Sequence, residues 1–168
     1  MTEKLSNFRG TYLKEEDFTE NKIIFTEYAP QAKYAWDTGV AMSRYLQELK
    51  EGKLIGVRCE KCNHTVIPPR MNCEWCFRPM DDWVYLPDTG TINTYSLCYV
   101  TWNMQYLEEP EIPAVIDIDG TNPLVGIMHK IGGVDPKDVK IGMKVKAVWK
   151  PEDEREGSIL DIKYFKPV

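Results

Sequence analysis

The sequence predicts a mainly β protein in three parts: a helical or extended N-terminal arm over residues 1–53, a cysteine-bearing ribbon over residues 54–82, and a small Greek-key barrel of OB type over residues 83–168. Three observations support this order. Helix-compatible sequence is confined to the first part, four of the five cysteines lie in the second, and β-branched residues broken by turn signals dominate the third. With 168 residues, 43% of them hydrophobic, the chain suits one ordinary domain or two small modules.

The N-terminal part contains one strong helix signal. Between Thr38 and Glu51, apolar residues recur at three- and four-residue spacing, which places them on one helical face: Met42, Tyr45, Leu46 and Leu49. Thr38 is the predicted N-cap, and Gly52 stands where a left-handed C-cap residue belongs. A weaker helix is predicted over residues 14–20.

Residues 23–35 contain Pro30 and little periodicity, so they are predicted to form an extended arm. Aromatic residues are frequent in and around this arm. They either cover the core of the protein or wrap a partner chain, and the sequence leaves both interpretations open.

The third part is typical of an antiparallel β structure. Residues 87–90, Pro-Asp-Thr-Gly, predict a turn, and residues 119–123, Asp-Gly-Thr-Asn-Pro, predict a hairpin. Gly142 marks a bulge or bend. Strands are predicted over residues 83–86, 91–102, 112–118, 124–131, 139–149 and 158–165. This pattern predicts a small closed OB-type barrel, with a β-sandwich as the alternative.

The ribbon contains two C-x-x-C pairs separated by ten residues. Zinc prefers four tetrahedral ligands and binds thiolates well, so this spacing predicts one Zn²⁺ site with the ligands Cys59, Cys62, Cys73 and Cys76. A rubredoxin-type iron centre uses the same ligand set, so zinc and iron both stay open. Four thiolates leave no position for a reacting water, and the metal is therefore predicted to be structural. Four free core cysteines and a redox pair are the less favoured interpretations.

Other residues with reactive side chains are interpreted as structural. Cys98 is predicted to be a small buried hydrophobe within a strand. His64 lies two residues after the first cysteine pair and is a weak competitor for a ligand position, whereas His129 is predicted to be a structural histidine. No phosphate-binding loop, nucleophile elbow or paired-carboxylate motif stands out, so no catalytic residue is assigned.

Charge and hydropathy exclude several classes of protein. The chain has 26 acidic and 21 basic residues, a formal charge of −5, which argues against nucleic-acid binding. No apolar run approaches the roughly 20 residues of a membrane-spanning helix. The first residues lack the hydrophobic stretch of a secretory signal, so a cytoplasmic location is predicted and disulfides are not expected.

The order of helix, four-cysteine ribbon and barrel resembles a family of small acyl-CoA-associated proteins, in which a rubredoxin-like zinc ribbon is fused to an OB fold. The resemblance covers about residues 38–168. It depends on residues 45–54 (YLQELKEGKL), the two cysteine pairs, residues 68–70 (PPR), 90–92 (GTI), 112–115 (IPAV), 141–145 (IGMKV) and 164–167 (YFKP). A glycine commonly follows each cysteine pair, whereas this chain has Asn63 and Phe77. Asn63 is compatible with the same turn, but Phe77 predicts a different second turn.

The resemblance implies a role as a non-catalytic subunit of a thiolase-superfamily complex that acts on acyl-CoA by 3-oxoacyl-CoA thiolysis. Members of the family are similar to scaffolds that stabilise the catalytic subunit and help to form its CoA site, and the benzoylsuccinyl-CoA thiolase of anaerobic toluene degradation is one candidate complex. One alternative is a stand-alone acyl-CoA-binding protein with basic anchors among Arg58, Arg70, Lys144, Lys146 and Lys150. A less favoured alternative is an OB protein that binds single-stranded nucleic acid.

Overall fold

The computed structural model describes residues 12–24, 26–123 and 125–168. The chain divides into two compact units, Met1–Trp36 and Asp37–Val168. The three-part division at residues 53 and 82 stays a prediction. None of the described helices is long and apolar enough to cross a membrane.

In the described part of the first unit, α1 (Glu15–Thr19) is a short helix, as the weak signal predicted. The chain after it is irregular, and its aromatic side chains are largely exposed: Tyr28, Tyr34 and Trp36. These rings therefore do not cover a core of their own unit. Phe8 and Phe25, two further aromatics of the N-terminal part, lie outside the described residues.

The second unit begins with α2 (Gly39–Lys50), which buries Ala41, Tyr45 and Leu49. Thr38 is the N-cap residue, as predicted, but its side chain makes no capping hydrogen bond, since its Oγ1 lies 2.6 Å from Ser43 Oγ. Asp37 Oδ1 accepts the Gly39 N–H at 2.8 Å. At the other end Gly52 has φ +72° and closes the helix, as predicted.

A three-stranded antiparallel sheet follows, with the order β2–β1–β3. Its strands are β1 (Leu54–Cys59), β2 (His64–Val66) and β3 (Asp82–Leu86). Val57 of β1 lies opposite Val66 on one side and Trp83 on the other. Both cysteine pairs lie at one end of this sheet, because β1 ends at Cys59 and β3 begins at Asp82.

The rest of the chain forms a closed barrel. Its strands are β4 (Thr89–Tyr95), β5 (Cys98–Val100), β6 (Tyr106–Ile118), β7 (Gly126–Ile131), β8 (Lys144–Trp149) and β9 (Ile162–Pro167). The order is β4–β8–β9–β7–β6, and β4 also pairs with β6, so five strands close on themselves. The β7–β9 pair is parallel and the other pairs are antiparallel. This is an OB-type barrel, so the predicted fold class is confirmed and the sandwich is wrong.

Several predicted strands have different bounds, and β6 begins at Tyr106 rather than at residue 112. The predicted strand 91–102 is interrupted after Tyr95, because Pro113 on β6 accepts the Ser96 N–H at 3.0 Å but has no N–H to return. The predicted strand 139–149 begins only at Lys144, because Gly142 with φ +84° forms a turn before it. Residues 159–161 of the predicted strand 158–165 form a 3₁₀ turn. Residue 124, the first residue of the predicted strand 124–131, lies outside the described residues.

One apolar core joins the ribbon, α2 and the barrel. Tyr45 and Leu49 of α2 belong to the same buried cluster as Ile55 of β1 and Ile116 and Phe165 of the barrel. The second unit is therefore held together mainly by burial of apolar area. The two cysteine pairs are fixed to the rest of this unit through β1 and β3.

Candidate metal centre

The four cysteine sulfurs of the two C-x-x-C pairs converge on one point. The sulfurs of Cys59, Cys62, Cys73 and Cys76 all lie within 4.8 Å of one another, and the Cys59 and Cys76 sulfurs are 3.7 Å apart. A tetrahedral site with metal–sulfur distances of about 2.3 Å has sulfur–sulfur edges of about 3.8 Å. Cys59 and Cys73 are buried, and the other two are half-buried. The donor set fits a closed tetrathiolate site, and the ligand roles of these four residues stay a prediction.

The backbone turns that bring the sulfurs together share a left-handed residue but close with different hydrogen bonds. Asn63 has φ +49° and Phe77 has φ +58°, each directly after the second cysteine of a pair. The Phe77 N–H donates to the Cys73 carbonyl at 2.9 Å, and the Asn63 N–H donates to the Glu60 carbonyl at 3.3 Å. The two turns therefore agree in the left-handed backbone of Asn63 and Phe77 but differ in their closing hydrogen bond, so the expectation of a different second turn holds for the hydrogen bond only. Phe77 adopts the left-handed conformation that glycine usually occupies, at a cost of order 1 kcal/mol.

Without a cation, the surroundings shift the thiol pKa values of Cys62 and Cys73 in opposite directions. Burial raises the pKa of Cys62 to about 12, and the neighbouring sulfurs add to this effect. Burial also raises the pKa of Cys73, but the N–H groups of Cys76 and Trp75 outweigh it and lower the value to about 7. A divalent cation at the centre would stabilise all four thiolates, so metal binding is expected to release protons.

His64 connects the two cysteine pairs. Its side chain is 1% exposed, and its Nε2 lies 3.1 Å from Glu74 Oε1. Its ring stacks on Trp75 with a centroid distance of 3.7 Å. Glu74 and Trp75 are the two residues inside the second C-x-x-C pair, and Glu74 also forms an ion pair with Arg70. We call His64, Glu74 and Trp75 the His64 brace.

The brace agrees with the interpretation of His64 as a structural residue and not a metal ligand. The structure places its Nε2 on a carboxylate, whereas the four converging ligand atoms are all sulfurs. The hydrogen bond from His64 is also the main cause that lowers the pKa of Glu74. Sequence reasoning missed this contact because it depends on how the ribbon folds back. The placement of a Glu and a Trp inside one cysteine pair is the signal that could have suggested it.

The remaining reactive residues lie on the barrel strands. Cys98 is half-buried rather than buried, because β5 pairs only with β6 and leaves one edge uncovered. His129 is buried on β7, where Nε2 lies 3.2 Å from the Ile159 carbonyl and Nδ1 accepts the Lys130 N–H at 2.9 Å. Burial lowers the pKa of His129.

Several basic side chains considered as phosphate anchors already have local partners. Lys144 Nζ lies 2.6 Å from Asp119 Oδ1, and Arg58 donates to Asn63 Oδ1 at 2.7 Å. Arg70 pairs with Glu74, as described above. Any phosphate group would have to compete with these contacts for the same side chains.

Comparison with known proteins agrees with this architecture. The family model for the rubredoxin-like zinc ribbon domain of ChsH2 matches residues 46–81, and that for the C-terminal OB-fold domain of ChsH2 matches residues 83–150. A DUF35 domain-containing scaffold protein of Methanocaldococcus jannaschii is 33% identical over 118 residues, which are 68% of this chain and 82% of that protein. This chain belongs to the DUF35 family. The resemblance found in the sequence is thereby confirmed.

Two solved structures show the same fold. A DUF35-family protein of unknown function from Sulfolobus solfataricus is 26% identical, with a TM-score of 0.55 over 66% of this chain and 77% of that one. A chain of the Ltp2–ChsH2(DUF35) aldolase is 20% identical, with a TM-score of 0.56 over 80% of this chain and 98% of that one. At that identity the second likeness supports the fold alone.

Proposed function

We propose that this chain is a non-catalytic, zinc-binding subunit of a thiolase-type acyl-CoA complex, in which it stabilises the catalytic subunit and helps to form its CoA site. The observation that carries the proposal is a closed four-sulfur cluster in a member of a family that includes a scaffold protein. The aldolase named for Ltp2 and ChsH2 gives a precedent for pairing such a chain with an enzyme. A complex that thiolyses 3-oxoacyl-CoA, such as benzoylsuccinyl-CoA thiolase, is the specific form of the proposal.

The four-sulfur cluster supports a structural role for the metal. Four thiolates complete the tetrahedral shell of Zn²⁺, so no open position is left for water or substrate. We assign zinc rather than iron because the matching family model is that of a zinc ribbon. The bound ion would join two turns that are also linked by short strands, by the His64 brace and by the hydrogen bond from the Glu60 N–H to Asp81 Oδ2.

The remaining reactive side chains also support a non-catalytic role. A thiolase requires two reactive cysteines and a histidine, whereas Cys98 is the one cysteine outside the cluster. Of the two histidines, His64 contacts Glu74 and Trp75, and His129 contacts backbone groups. We therefore expect the isolated chain to lack thiolase activity.

An exposed apolar hairpin supports association with another protein. The turn between β5 and β6 is ordered by hydrogen bonds between Thr101 and Gln105. It nevertheless exposes large apolar side chains: Tyr99, Trp102, Met104 and Tyr106. Contiguous exposed apolar residues of this kind are typical of protein interfaces. We call residues 98–106 the apolar hairpin and propose that it contacts the catalytic subunit.

Affinity purification of the tagged full chain from its own cells tests the proposal. We expect a thiolase-superfamily protein to co-purify, and we expect the complex but not the lone chain to cleave a 3-oxoacyl-CoA with CoA. The double substitution Trp102→Ser and Tyr106→Ser should abolish co-purification. Ile141→Ser, which changes a similarly exposed apolar residue outside the hairpin, is the matched control and should preserve it. Thiolase activity of the lone chain, or the absence of a thiolase from the purified material, would contradict the proposal.

A further inference from the structure

An open groove of ≈ 550 Å³ lies on the barrel, between the base of the apolar hairpin and the loop that follows β7. Leu97, Tyr99 and residues 108–110 line one side, and residues 134–137 line the other. Tyr99 belongs to both the groove and the apolar hairpin, and β6 runs from the hairpin directly into residues 108–110. The groove therefore adjoins the surface that we propose as the contact with the catalytic subunit.

Part of the groove wall is apolar and open to solvent. The Tyr99 side chain is 50% exposed, and Leu97 is exposed beside it. Pro110 and Val134 are half-buried. An aromatic ring that reaches solvent can receive a cation on its face, and the apolar residues around it can be covered by the aliphatic stem of a long basic side chain.

The charged part of the wall is mainly acidic. Glu108, Glu109 and Asp135 are exposed, and Lys137 is the one basic residue among those that line the groove. Asp135 Oδ1 accepts the Lys137 N–H at 2.9 Å. The ion pairs of the described residues include none with Glu108, Glu109 or Lys137. The groove thus presents three carboxylates that repel one another, and a cation among them would relieve this repulsion.

The combination of carboxylates with an exposed ring favours arginine as the occupant. A guanidinium is planar, donates two parallel hydrogen bonds to a carboxylate and stacks on an aromatic ring, whereas an ammonium acts as a point charge. Arginine and tyrosine are also enriched among the residues that contribute most to protein interfaces. The same three carboxylates repel phosphate groups, so the groove disfavours both CoA and nucleic acid.

We propose that this groove binds an arginine side chain of the catalytic subunit, with the guanidinium paired to Glu108 and Glu109 and lying against the Tyr99 ring. The selection of a guanidinium follows from the groove itself. The assignment of that arginine to the catalytic subunit rests on the proposed function. The two parts are therefore tested by separate measurements.

Amide NMR on the full zinc-loaded chain tests the groove. The probes are acetyl-leucyl-arginyl-leucine amide and the same peptide with citrulline, an uncharged isostere of arginine. We expect saturable shifts of the Tyr99 and Glu109 amides with the arginine peptide, and binding of the citrulline peptide that is at least about fivefold weaker.

Variants with fewer carboxylates test whether the groove or the general acidity of the chain binds the peptide. The double variant Glu108→Gln and Glu109→Gln should weaken binding of the arginine peptide by about fivefold. Glu152 and Asp153 are exposed in a 3₁₀ turn and do not line the groove. The matched control, Glu152→Gln with Asp153→Asn, should leave the affinity within about twofold.

Association kinetics test the source of the arginine. The purified chain is recombined with the thiolase-superfamily protein that co-purifies with it. The double variant Glu108→Lys and Glu109→Lys should slow association by at least about tenfold at low salt and by less at high salt. The control, Glu152→Lys with Asp153→Lys, makes the same change in net charge and should keep the rate within about twofold.

The proposal is overturned if the two peptides bind equally or if neither shifts the groove amides, and either result leaves the proposed complex standing. It is overturned as well if the charge-reversed groove variant associates at the parent rate. Self-association of the lone chain in sedimentation, abolished by that variant, would assign the groove to a second copy and contradict the proposal. If no thiolase co-purifies, the proposed function fails and the assignment to a catalytic subunit fails with it, whatever the peptides do.

Discussion

The His64 brace should control how fast the metal leaves the ribbon. His64→Phe keeps an aromatic ring against Trp75 but removes the contact between Nε2 and Glu74 Oε1 at 3.1 Å. Hydrogen bonds to charged groups contribute about 1.5–3 kcal/mol, but the Glu74 side chain is 39% exposed, so solvent screens part of this. His64→Phe also removes the Nδ1 atom of His64, which is buried and unpaired, and this gives a small gain in stability. We therefore expect a net loss of about 1 kcal/mol.

If the metal-bound ribbon loses about 1 kcal/mol of stability, zinc should be released roughly fivefold faster. His64→Ala also removes the ring stack and leaves a cavity, so we expect a loss of about 2–4 kcal/mol and a release at least about 30-fold faster. The assay is transfer of zinc from the native chain to an excess of a chromogenic chelator, followed in a stopped-flow instrument. Glu74→Gln should reproduce the effect of His64→Phe, and the double variant should be no worse than either single one.

Tyr95→Phe is the matched control, since it removes one hydrogen bond of similar strength in the barrel. It should lower the free energy of unfolding by about 1 kcal/mol and leave the rate of zinc release unchanged. The reasoning is refuted if His64→Phe and Glu74→Gln release zinc at the parent rate. It is refuted equally if Tyr95→Phe accelerates release as much as they do.

Three further predictions concern the barrel and the remaining cysteine. Burial raises the pKa of Asp161, but N–H groups that include those of Gly157 and Ser158 lower it by more. The ionised side chain therefore stabilises the fold above the ordinary carboxyl pKa of about 4. This stabilisation is lost as the pH falls through the lower pKa of the folded state. Asp161→Asn should cost about 2 kcal/mol at pH 7, with the difference shrinking in acid-unfolding curves. Gly126→Ala should cost about 2–3 kcal/mol in urea unfolding, because a Cβ would lie 2.1 Å from the Ile116 carbonyl oxygen. Cys98→Ser should leave zinc content by elemental analysis unchanged, since Cys98 is not part of the sulfur cluster.

The features that could be predicted from the sequence depend on local chemistry. The cysteine spacing indicates one cluster because each C-x-x-C turn places two sulfurs on one side, whatever the rest of the chain does. The helix before the ribbon follows from apolar periodicity and from Gly52, whose left-handed backbone ends it. The hairpin between β6 and β7 follows from the turn residues at 119–123.

The features that sequence reasoning missed depend on distant partners. The break after Tyr95 is caused by Pro113, which lies on another strand and is visible as a partner only once the register is known. His64 meets Glu74 only because the ribbon folds back, and the unpaired Tyr45 hydroxyl is a property of the packed interior. Asp161 falls in a predicted strand, yet three backbone N–H groups hold its carboxylate in a turn.

The most direct test of the account is a combined metal and thiol count on the freshly purified full chain. The account predicts one zinc ion per chain and one thiol, that of Cys98, that reacts with a thiol reagent under native conditions. All five thiols should react after unfolding in the presence of a chelator. A native chain without zinc or iron, in which all five thiols react freely, would contradict the central claim that a tetrathiolate metal organises this chain.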